Sequence, residues 1–442
     1  MSIDGLFTPR SIAVYGASAT DSNKLGNTLL ENAASGGSDV LAVHPSADVI
    51  DGIPAVASLD RPVDLVLVSV PGQRVESAVV DAAAAGAKTG IVLSSGFGET
   101  GEEGRTVQDR IAAVAGAAGM RLVGPNCMGV VSHLGDGRWL NGSYFWAVPD
   151  TAGGLSFISQ SGAFGGMFFS HLRNSGLGLS RFLSVGNAAD VSLTDVLEWL
   201  GEDPQTTAIG MFIEGIDDGR RFVEVARATT ARKPVVVLKA GKMPAGAKAA
   251  ASHTGSMAGN HEAVQAGLRR AGVIEAADSD SFFDAMDTAA VGLTGTVVRN
   301  IAIVTISGGP SVLAADTAER IGLTLPKLGN ATMAQLRPLV PAFAALGNPF
   351  DLTPQCPADN FIPAIESVYA DEAVEGIVAI NCGLDIAQFG TGVARGIART
   401  GKPTTSFVLD APAVEAELAA AGVLRFASPE RAVEALSMGS GK

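Results

Sequence analysis

Residues 11–18 read Ser11-Ile12-Ala13-Val14-Tyr15-Gly16-Ala17-Ser18, a short apolar run that ends in a loop of small residues. The same pattern recurs where residues 155–158 lead into Ser159-Gln160-Ser161-Gly162, and where residues 301–306 lead into Ser307-Gly308-Gly309-Pro310. In each place an apolar helical stretch follows the loop. Each loop could therefore open a nucleotide-fold unit, in which a strand leads through a turn into a helix N-terminus.

Further apolar strands alternate with helical stretches between these openings, which is typical of mostly parallel, doubly wound sheets. Pro, Gly and Thr interrupt the alternation near residues 149–154 and 293–298. The sequence predicts an α/β fold with three doubly wound domains, residues 1–149, 150–294 and 295–442. The predicted strands are 40–43, 65–70, 90–93 and 120–123 in the first domain, 181–185, 208–213 and 234–238 in the second, and 376–381 and 404–408 in the third.

The amino-acid composition argues against several classes of protein. The chain has 442 residues, of which 47% are hydrophobic, and this is enough for several cores. A net charge of −14 argues against nucleic acid as a partner. Three widely spaced cysteines suggest neither a disulfide framework nor a metal site, and they favour a reducing cytoplasm. The apolar runs are too short to span a membrane, and residues 1–10 lack the pattern of a signal peptide.

The first loop bears on cofactor choice. It reads Gly16-Ala17-Ser18-Ala19-Thr20-Asp21 and lacks the G-x-G-x-x-G pattern, and the second strand ends in His44-Pro45 without an acidic residue for a ribose. An NAD-dependent dehydrogenase is therefore disfavoured. Ser18, Thr20 and Lys24 could still cradle a phosphate, or the loop could be a tight turn without a ligand. Other small-residue loops follow predicted strands at Pro71-Gly72, at Ser94–Gly101 and at Gly124–Cys127, where an open parallel sheet forms its ligand crevice.

His253 lies among small residues, in Ser252-His253-Thr254-Gly255-Ser256. Such a segment packs poorly as a core but lets a ligand approach closely. A phosphorylated imidazole would need helix N-termini or backbone amides around it, and the loop at residues 159–163 offers one such terminus. Glu214 ends an apolar strand and could accept the proton of the unreacted ring nitrogen. The alternative is a surface histidine and a solvated glutamate.

These segments resemble, in order and across nearly the whole chain, the NDP-forming acyl-CoA synthetases of the succinyl-CoA synthetase superfamily. The resemblance is to the α-type chain of ADP-forming acetyl-CoA synthetase. It implies an N-terminal CoA-binding Rossmann-like domain followed by two flavodoxin-like ligase domains. The matching segments are residues 14–18, 95–104, 124–127, 159–163, 184–187, 214–220, 239–241, 252–256, 308–310 and 348–351.

The resemblance also implies roles for individual residues. His253 is expected to be a transient phosphohistidine, and Glu214 the acidic residue that supports it. Coenzyme A and phosphate are expected in two separate groups of loops. The phosphate-binding residues implied are Ser159, Gln160, Ser161, Gly162, Thr254 and Gly255, and the CoA-binding residues are Gly16, Ser18, Lys24, Pro71, Ser95, Gly96, Asn126 and Cys127.

The implied reaction joins a carboxylic acid, CoA and ATP into acyl-CoA, ADP and phosphate. No segment reads G-x-x-x-x-G-K-[ST], and the family's ATP-grasp module has no counterpart here. A separate β-type subunit is therefore expected to carry ATP or ADP and Mg²⁺, in a hetero-oligomer. The alternative is a non-catalytic CoA-binding regulatory or scaffold protein. A hydrolase is disfavoured because neither Ser159 nor Ser161 lies in G-x-S-x-G.

Two features depart from the family pattern. His44-Pro45 stands where Asn-Pro is usual, and bulky side chains crowd the phosphate loop. The bulky residues could enlarge an acyl pocket, but core packing is the favoured interpretation. They are Phe164, Phe168 and Phe169 after the loop, and Trp139 and Trp146 before it.

Overall fold

The computed structural model describes residues 2–248, 261–294 and 296–438, with the side chains of 261–263 excepted. The chain divides into two compact units, Met1–Met286 and Asp287–Lys442. The first unit holds two sheets and the second unit holds one. All three sheets are mainly or wholly parallel and are accompanied by helices, which confirms the predicted α/β class. No described helix is both long enough and apolar enough to cross a membrane.

The first sheet has the strand order β3-β4-β2-β1-β5-β6-β7, and only β3 runs antiparallel to its neighbour. In β1, Ile12 and Val14 pack on one face while Ala13 and Tyr15 pack on the other, because successive side chains of a strand alternate. Its strands are β1 (Ser11–Tyr15), β2 (Asp39–Val43), β3 (Val49–Ile50), β4 (Ile53–Val56), β5 (Leu65–Val68), β6 (Thr89–Val92) and β7 (Arg121–Val123), and its helices are α1 (Asp4–Phe7), α2 (Leu25–Ala34), α3 (Gly72–Ala84) and α4 (Glu102–Ala117), with a 3₁₀ turn at Gly98–Thr100.

The second sheet has the order β14-β13-β12-β10-β11-β8-β9. Its strands are β8 (Gly129–Gly135), β9 (Arg138–Ser143), β10 (Ala152–Ser159), β11 (Leu179–Ser184), β12 (Ala208–Ile213), β13 (Val235–Lys239) and β14 (Ile274–Ala276), and its helices are α5 (Gly162–Ser175), α6 (Leu193–Glu202), α7 (Gly219–Thr230), α8 (His261–Arg270) and α9 (Ser279–Ala290).

The hairpin β8–β9 was assigned to the first domain by sequence, but it pairs antiparallel with β11 of the second sheet. The sequence pattern predicted mostly parallel sheets and carried no signal for this antiparallel pairing. One continuous apolar cluster runs from the first sheet to the second, through residues such as Val14, Val130 and Leu183. The hairpin and this cluster explain why the two sheets form a single compact unit.

The second unit contains a parallel sheet with the order β16-β15-β17-β18-β19. Each predicted strand of this region is present. The strands are β15 (Ile301–Thr305), β16 (Phe350–Asp351), β17 (Gly376–Cys382), β18 (Thr404–Leu409) and β19 (Leu424–Arg425), and the helices are α10 (Gly308–Arg320), α11 (Asn330–Leu336), α12 (Ala358–Tyr369), α13 (Ala387–Thr400), α14 (Pro412–Ala420) and α15 (Pro429–Ser437).

A buried ion pair lies within the second sheet's domain. Arg181 on β11 is 2% exposed, and its Nε lies 3.2 Å from Asp203 Oδ2. Burial lowers the pKa of Arg181, and the opposing charge of Asp203 only partly offsets this effect. Removing one charge from such a pair leaves the other charge buried and uncompensated.

We expect Asp203→Asn to lower the free energy of unfolding of the first unit by about 3 kcal/mol, because Arg181 would keep its buried charge. Urea denaturation followed by tryptophan fluorescence measures this unit alone, since Trp139, Trp146 and Trp199 all belong to it. Asp39→Asn, which removes the exposed partner of Arg61, is the control and should change stability by less than about 1 kcal/mol. Equal effects of both substitutions would contradict the prediction.

Candidate functional site

A cleft of about 760 Å³ opens at the carboxyl ends of the first sheet's strands. It brings together five of the eight residues that were predicted to bind the cofactor, from the loops that follow β1, β5 and β6. Several lining residues were not assigned to the site by sequence analysis. The predicted residues in the cleft are Gly16, Ser18, Lys24, Pro71 and Ser95, and the additional lining residues include His44, Ser69, Arg74 and Tyr144.

The first loop is shaped by close backbone contacts. Gly16 has φ +113°, and a Cβ added there would lie 2.2 Å from the carbonyl oxygen of Ser69. A Cβ added at Gly26, in the first turn of α2, would lie 2.1 Å from the carbonyl oxygen of Gly16. Only glycine fits at these two positions, so the loop lies directly against the start of α2.

Asn27 fixes this loop and was missed by sequence analysis. Its Oδ1 accepts a hydrogen bond from the Ser18 amide over 2.8 Å, and its Nδ2 donates to the Ser18 carbonyl over 2.9 Å. The hydroxyl of Ser18 accepts hydrogen bonds from the amides of Thr20 and Asp21. Ser18 is therefore engaged in shaping the turn. The signal in sequence was an amide residue in the first turn of a helix that follows a small-residue loop.

The charged side chains that line the cleft are cationic. Lys24 and Arg74 line it, and no Asp or Glu is among its lining residues in the described part of the chain. Lys24 also precedes the first residue of α2, where the helix dipole favours an anion. Cationic side chains, a helix N-terminus and a lining without carboxylates among the described residues suit a ligand that carries phosphate groups.

His44 replaces the expected asparagine without loss of the local turn. Its Nδ1 accepts hydrogen bonds from the amides of Ser46 and Ala47, over 3.3 and 3.1 Å. An Asn side chain makes the same kind of turn through its carbonyl oxygen. Since Nδ1 acts as the acceptor, the proton of the neutral imidazole is on Nε2.

Three predicted cofactor residues do not line the cleft. The Gly96 amide donates to Glu99 Oε1 over 2.6 Å, and Asn126 Nδ2 donates to Asn187 Oδ1 over 3.2 Å. Cys127 is buried, and its Sγ donates to the carbonyl of Val92 over 3.4 Å. These residues instead lie where the loops of the first sheet meet those of the second.

That junction is built mainly from backbone. The amides of Asn187, Ala189 and Val191 donate in turn to the carbonyls of Pro125, Gly124 and Leu122, over 2.9, 2.9 and 3.0 Å. The loop after β7 is therefore hydrogen-bonded to the segment after β11 along its length. Arg121 adds ion pairs to Asp190 and Asp195.

The predicted phosphate loop forms the start of α5. Ser161 is the N-cap residue, and its side chain accepts a hydrogen bond from the Phe164 amide. Ser159 Oγ donates to the Ser161 carbonyl over 2.6 Å and accepts from the Ser161 amide over 3.1 Å. A Cβ added at Gly162 would lie 2.2 Å from Cγ of Met128, so this helix N-terminus lies against the residue that follows Cys127.

Glu214 is buried at 7% exposure, which excludes a solvated glutamate. Its amide and that of Gly215 donate to Gln160 Oε1, over 2.6 and 3.1 Å, so Gln160 joins the phosphate loop to the Glu214 loop. Lys239 Nζ donates to the Glu214 carbonyl over 2.8 Å. Burial lowers the pKa of Lys239, and the charge of Glu214 opposes that effect. Sequence analysis included Lys239 in a family segment but gave it no role.

The remaining predicted residues have three different outcomes. His253, Thr254 and Gly255 lie outside the described residues. Phe164, Phe168 and Phe169 are buried in an aromatic cluster around Phe157 and Phe182, so they are core residues, as was favoured. Trp146 is 83% exposed and is not part of that core.

Comparison with known proteins gives consistent matches. Residues 10–133 match the family of the CoA binding domain, and residues 152–289 match that of the succinyl-CoA ligase like flavodoxin domain. The ADP-forming acetate–CoA ligase II subunit alpha of Pyrococcus furiosus is 35% identical over 421 residues, which cover 92% of this chain and 90% of that protein. The ADP-forming acetate–CoA ligase I of Archaeoglobus fulgidus is also 35% identical, over 445 residues, and the match spans 99% of this chain but 63% of that longer protein.

A solved structure covers the whole chain. It is acetyl-coenzyme A synthetase 1 of Ca. Korarchaeum cryptofilum, described as dinucleotide forming and solved in complex with phosphate and ADP. The TM-score is 0.89 at 31% identity, and the match covers 100% of this chain and 96% of that chain. The likeness therefore extends to both compact units.

We expect Cys127 to resist alkylation in the folded protein. Burial raises the pKa of its thiol to about 12, so about one molecule in 10⁴ carries the reactive thiolate at pH 8. Iodoacetamide treatment followed by mass spectrometry should leave Cys127 unmodified in the native chain. The urea-unfolded chain, in which all three cysteines react, is the control. Rapid native modification of Cys127 would contradict this burial.

Proposed function

The chain belongs to the ADP-forming acyl-CoA synthetases, and we propose that it is the subunit of such an enzyme that binds coenzyme A and carries phosphate on His253. The reaction proposed is carboxylate, CoA and ATP giving acyl-CoA, ADP and phosphate. The support for this assignment is that the cleft lined by Lys24 and Arg74 and the N-terminus of α5 belong to one compact unit.

The residues of the cleft fit coenzyme A. Lys24, Arg74 and the amides at the start of α2 would hold its phosphate groups, and the glycines at positions 16 and 26 let backbone approach the ligand. When bound, CoA supplies the thiol that receives the acyl group. Ser69 and Tyr144, whose hydroxyl groups lie 2.6 Å apart, line the same cleft and would exclude water from part of its wall.

The second half of the proposal concerns phosphate. Transfer to an imidazole places about two negative charges on His253, by analogy with other phosphorylated side chains. The N-terminus of α5, with Ser159 and Ser161 fixed by their mutual hydrogen bonds, would stabilise that charge. Glu214 would accept the proton of the unreacted ring nitrogen, which leaves the other nitrogen free to attack phosphorus.

The order of steps follows from carboxylate chemistry. A carboxylate is a poor electrophile, so it must first be converted to an acyl phosphate. In the direction of synthesis, phosphate moves from ATP to His253 and then to the carboxylate. The CoA thiol next attacks the acyl carbon, the carbon–oxygen bond to phosphate breaks, and the thiol proton leaves to solvent. Enzymes catalyse phosphoryl transfer mainly by placing the reacting groups correctly and by stabilising the charge on phosphorus.

A partner is part of this proposal. The matched Pyrococcus furiosus protein is named as an alpha subunit, and this chain carries no G-x-x-x-x-G-K-[ST] segment. We assign the ATP or ADP site and Mg²⁺ to a β-type subunit with an ATP-grasp module, in a hetero-oligomer. The isolated chain should then form no acyl-CoA from ATP.

Removing the cleft's two cations should weaken CoA binding. We expect Lys24→Ala and Arg74→Ala each to raise the Kd for CoA about tenfold, because each would remove a charge-assisted contact to phosphate. Isothermal titration calorimetry measures this directly, and added salt should reduce the difference. Arg61→Ala, an exposed arginine outside the cleft, is the control. An unchanged Kd in both cleft variants would place CoA elsewhere.

The phosphate relay is tested with radiolabelled ATP. We expect the chain mixed with its β-type partner to acquire acid-labile, base-stable label, and His253→Ala to acquire none, because the label would be a phosphohistidine. Glu214→Gln should slow labelling by about 10- to 100-fold, since the imidazole would lose its proton acceptor. His133→Gln, which changes a histidine of β8, is the control and should label as wild type.

The outcomes separate the two functions considered. Label on wild type and on His133→Gln, but not on His253→Ala, supports the relay. An absence of label on wild type, while CoA still binds, would replace the enzyme with a non-catalytic CoA-binding protein. Label that survives in His253→Ala would move the phosphate to another residue.

A further inference from the structure

Asn187, in the loop after β11, joins the two sheets of the first unit through its side chain. Its Nδ2 donates to Glu99 Oε2 over 2.6 Å and to Gln108 Oε1 over 2.9 Å. Its Oδ1 accepts from Asn126 Nδ2 over 3.2 Å. One amide from the second sheet's domain therefore contacts three side chains that belong to the loops and helices of the first sheet.

Glu99 supplies the charge in this network. Its two carboxylate oxygens accept from different partners, the Gly96 amide over 2.6 Å and the Asn187 side chain over 2.6 Å. Burial acts to raise the pKa of Glu99, but these hydrogen bonds outweigh it and the pKa is lowered. Hydrogen bonds to an ionised carboxylate are stronger than those between neutral groups. Gln108, which is buried, also accepts from the Gly98 amide over 3.1 Å and completes the network.

The network lies between the two halves of the candidate site. On one side, Gly96 directly follows Ser95, which lines the cationic cleft. On the other side, Val185, two residues before Asn187, donates its amide to the carbonyl of Ser159 over 2.9 Å. Ser159 is the residue whose hydroxyl fixes the phosphate loop. A short, hydrogen-bonded path thus connects the cleft with the N-terminus of α5.

Neither Glu99 nor Asn187 is a lining residue of the cleft. We propose that they form a positioning pair, which holds the CoA cleft in register with the phosphate loop and so controls the rate of acyl-CoA formation and not the affinity for CoA. This inference rests on the proposed function. A misplacement of about 1 Å between reacting groups can cost about 100-fold in rate, so a pair remote from the chemistry can have a large effect.

The test uses the complex of the full chain with its β-type partner. Glu99→Gln and Asn187→Asp should each slow acyl-CoA formation by about 10- to 100-fold. The Kd for CoA and the extent of label on His253 from ATP should stay within about twofold of wild type. The double variant restores an amide-to-carboxylate hydrogen bond in the reverse direction and should recover part of the lost rate. Glu103→Gln changes an exposed glutamate in the first turn of α4, four residues after Glu99, and is the matched control that should keep the wild-type rate.

A readout that needs no turnover tests the geometry. In Glu99→Ala the Gly96 amide loses its acceptor, so its hydrogen exchange should become faster while amides of the third sheet do not change. Tryptophan fluorescence during urea unfolding shows whether each variant remains folded.

Three results would overturn the inference. Wild-type rates in both Glu99→Gln and Asn187→Asp would show that the pair does not position the site. A parallel loss of CoA affinity would make these residues part of the binding site, and unchanged exchange at Gly96 would contradict the hydrogen bond itself. If the wild-type complex forms no acyl-CoA, the proposed function fails first and the inference fails with it. Active wild type with equally active variants overturns the inference alone.

Discussion

Close approach of backbone to backbone at the carboxyl ends of parallel strands is the constraint on which this site depends. At Gly16 the chain passes so near the Ser69 carbonyl that a single added carbon would overlap it, and at Gly26 the first turn of α2 lies equally close to the Gly16 carbonyl. These contacts place the start of α2 beside the crevice, and a helix N-terminus is a favourable position for an anion. Gly162 repeats the arrangement at α5, where the neighbour is the side chain of Met128. At a surface of this type, glycines leave room for a ligand because they have no side chain. The same glycines also allow the close backbone packing on which the fold depends.

The first two sheets cannot move independently of each other without breaking specific contacts. The chain leaves β7, makes hydrogen bonds to the segment after β11, and then enters the hairpin β8–β9, which pairs with β11 itself. A core cluster that includes Cys127, Val130 and Leu183 fills the space beneath this crossing. The cleft and the phosphate loop therefore belong to one unit. A reaction that joins a thiol to a phosphorylated carboxyl group needs such a fixed separation, because a small error in placement is costly.

Local patterns in the sequence were enough to predict most of the parallel strands, but not the hairpin β8–β9 or several short strands. Five of the eight residues expected at the cofactor line the cleft. Strand–loop–helix openings such as Ser159–Gly162 are visible because all of their interactions lie within a few residues of each other. The network around Asn187 was not predictable in this way, because its partners Glu99 and Asn126 are distant in sequence. For the same reason the sequence could not show that Asn126 bonds to the second sheet's loop or that Cys127 is buried. The hairpin β8–β9 gave no signal of which sheet it joins.

His44 departs from the family pattern in identity but keeps the turn, and only the positions of the Ser46 and Ala47 amides reveal this.

A net charge of −14 opposes the binding of polyanions in general, but the field that acts on a ligand in the cleft is local. At physiological ionic strength the Debye length is about 8 Å, so exposed carboxylates farther away are largely screened from the cleft. The charged side chains that line the cleft are those of Lys24 and Arg74, and a helix N-terminus adjoins them. The carboxylate of Asp51 lies nearby, but it accepts a hydrogen bond from Asn27 and is not among the described lining residues. The buried side of the site also pairs opposite charges, since Lys239 donates to the Glu214 carbonyl and the charge of Glu214 acts to raise the pKa of Lys239. Individual charged residues therefore set the local field at the cleft and at the N-terminus of α5. The acidic residues on the rest of the surface do not determine which ligands can bind there.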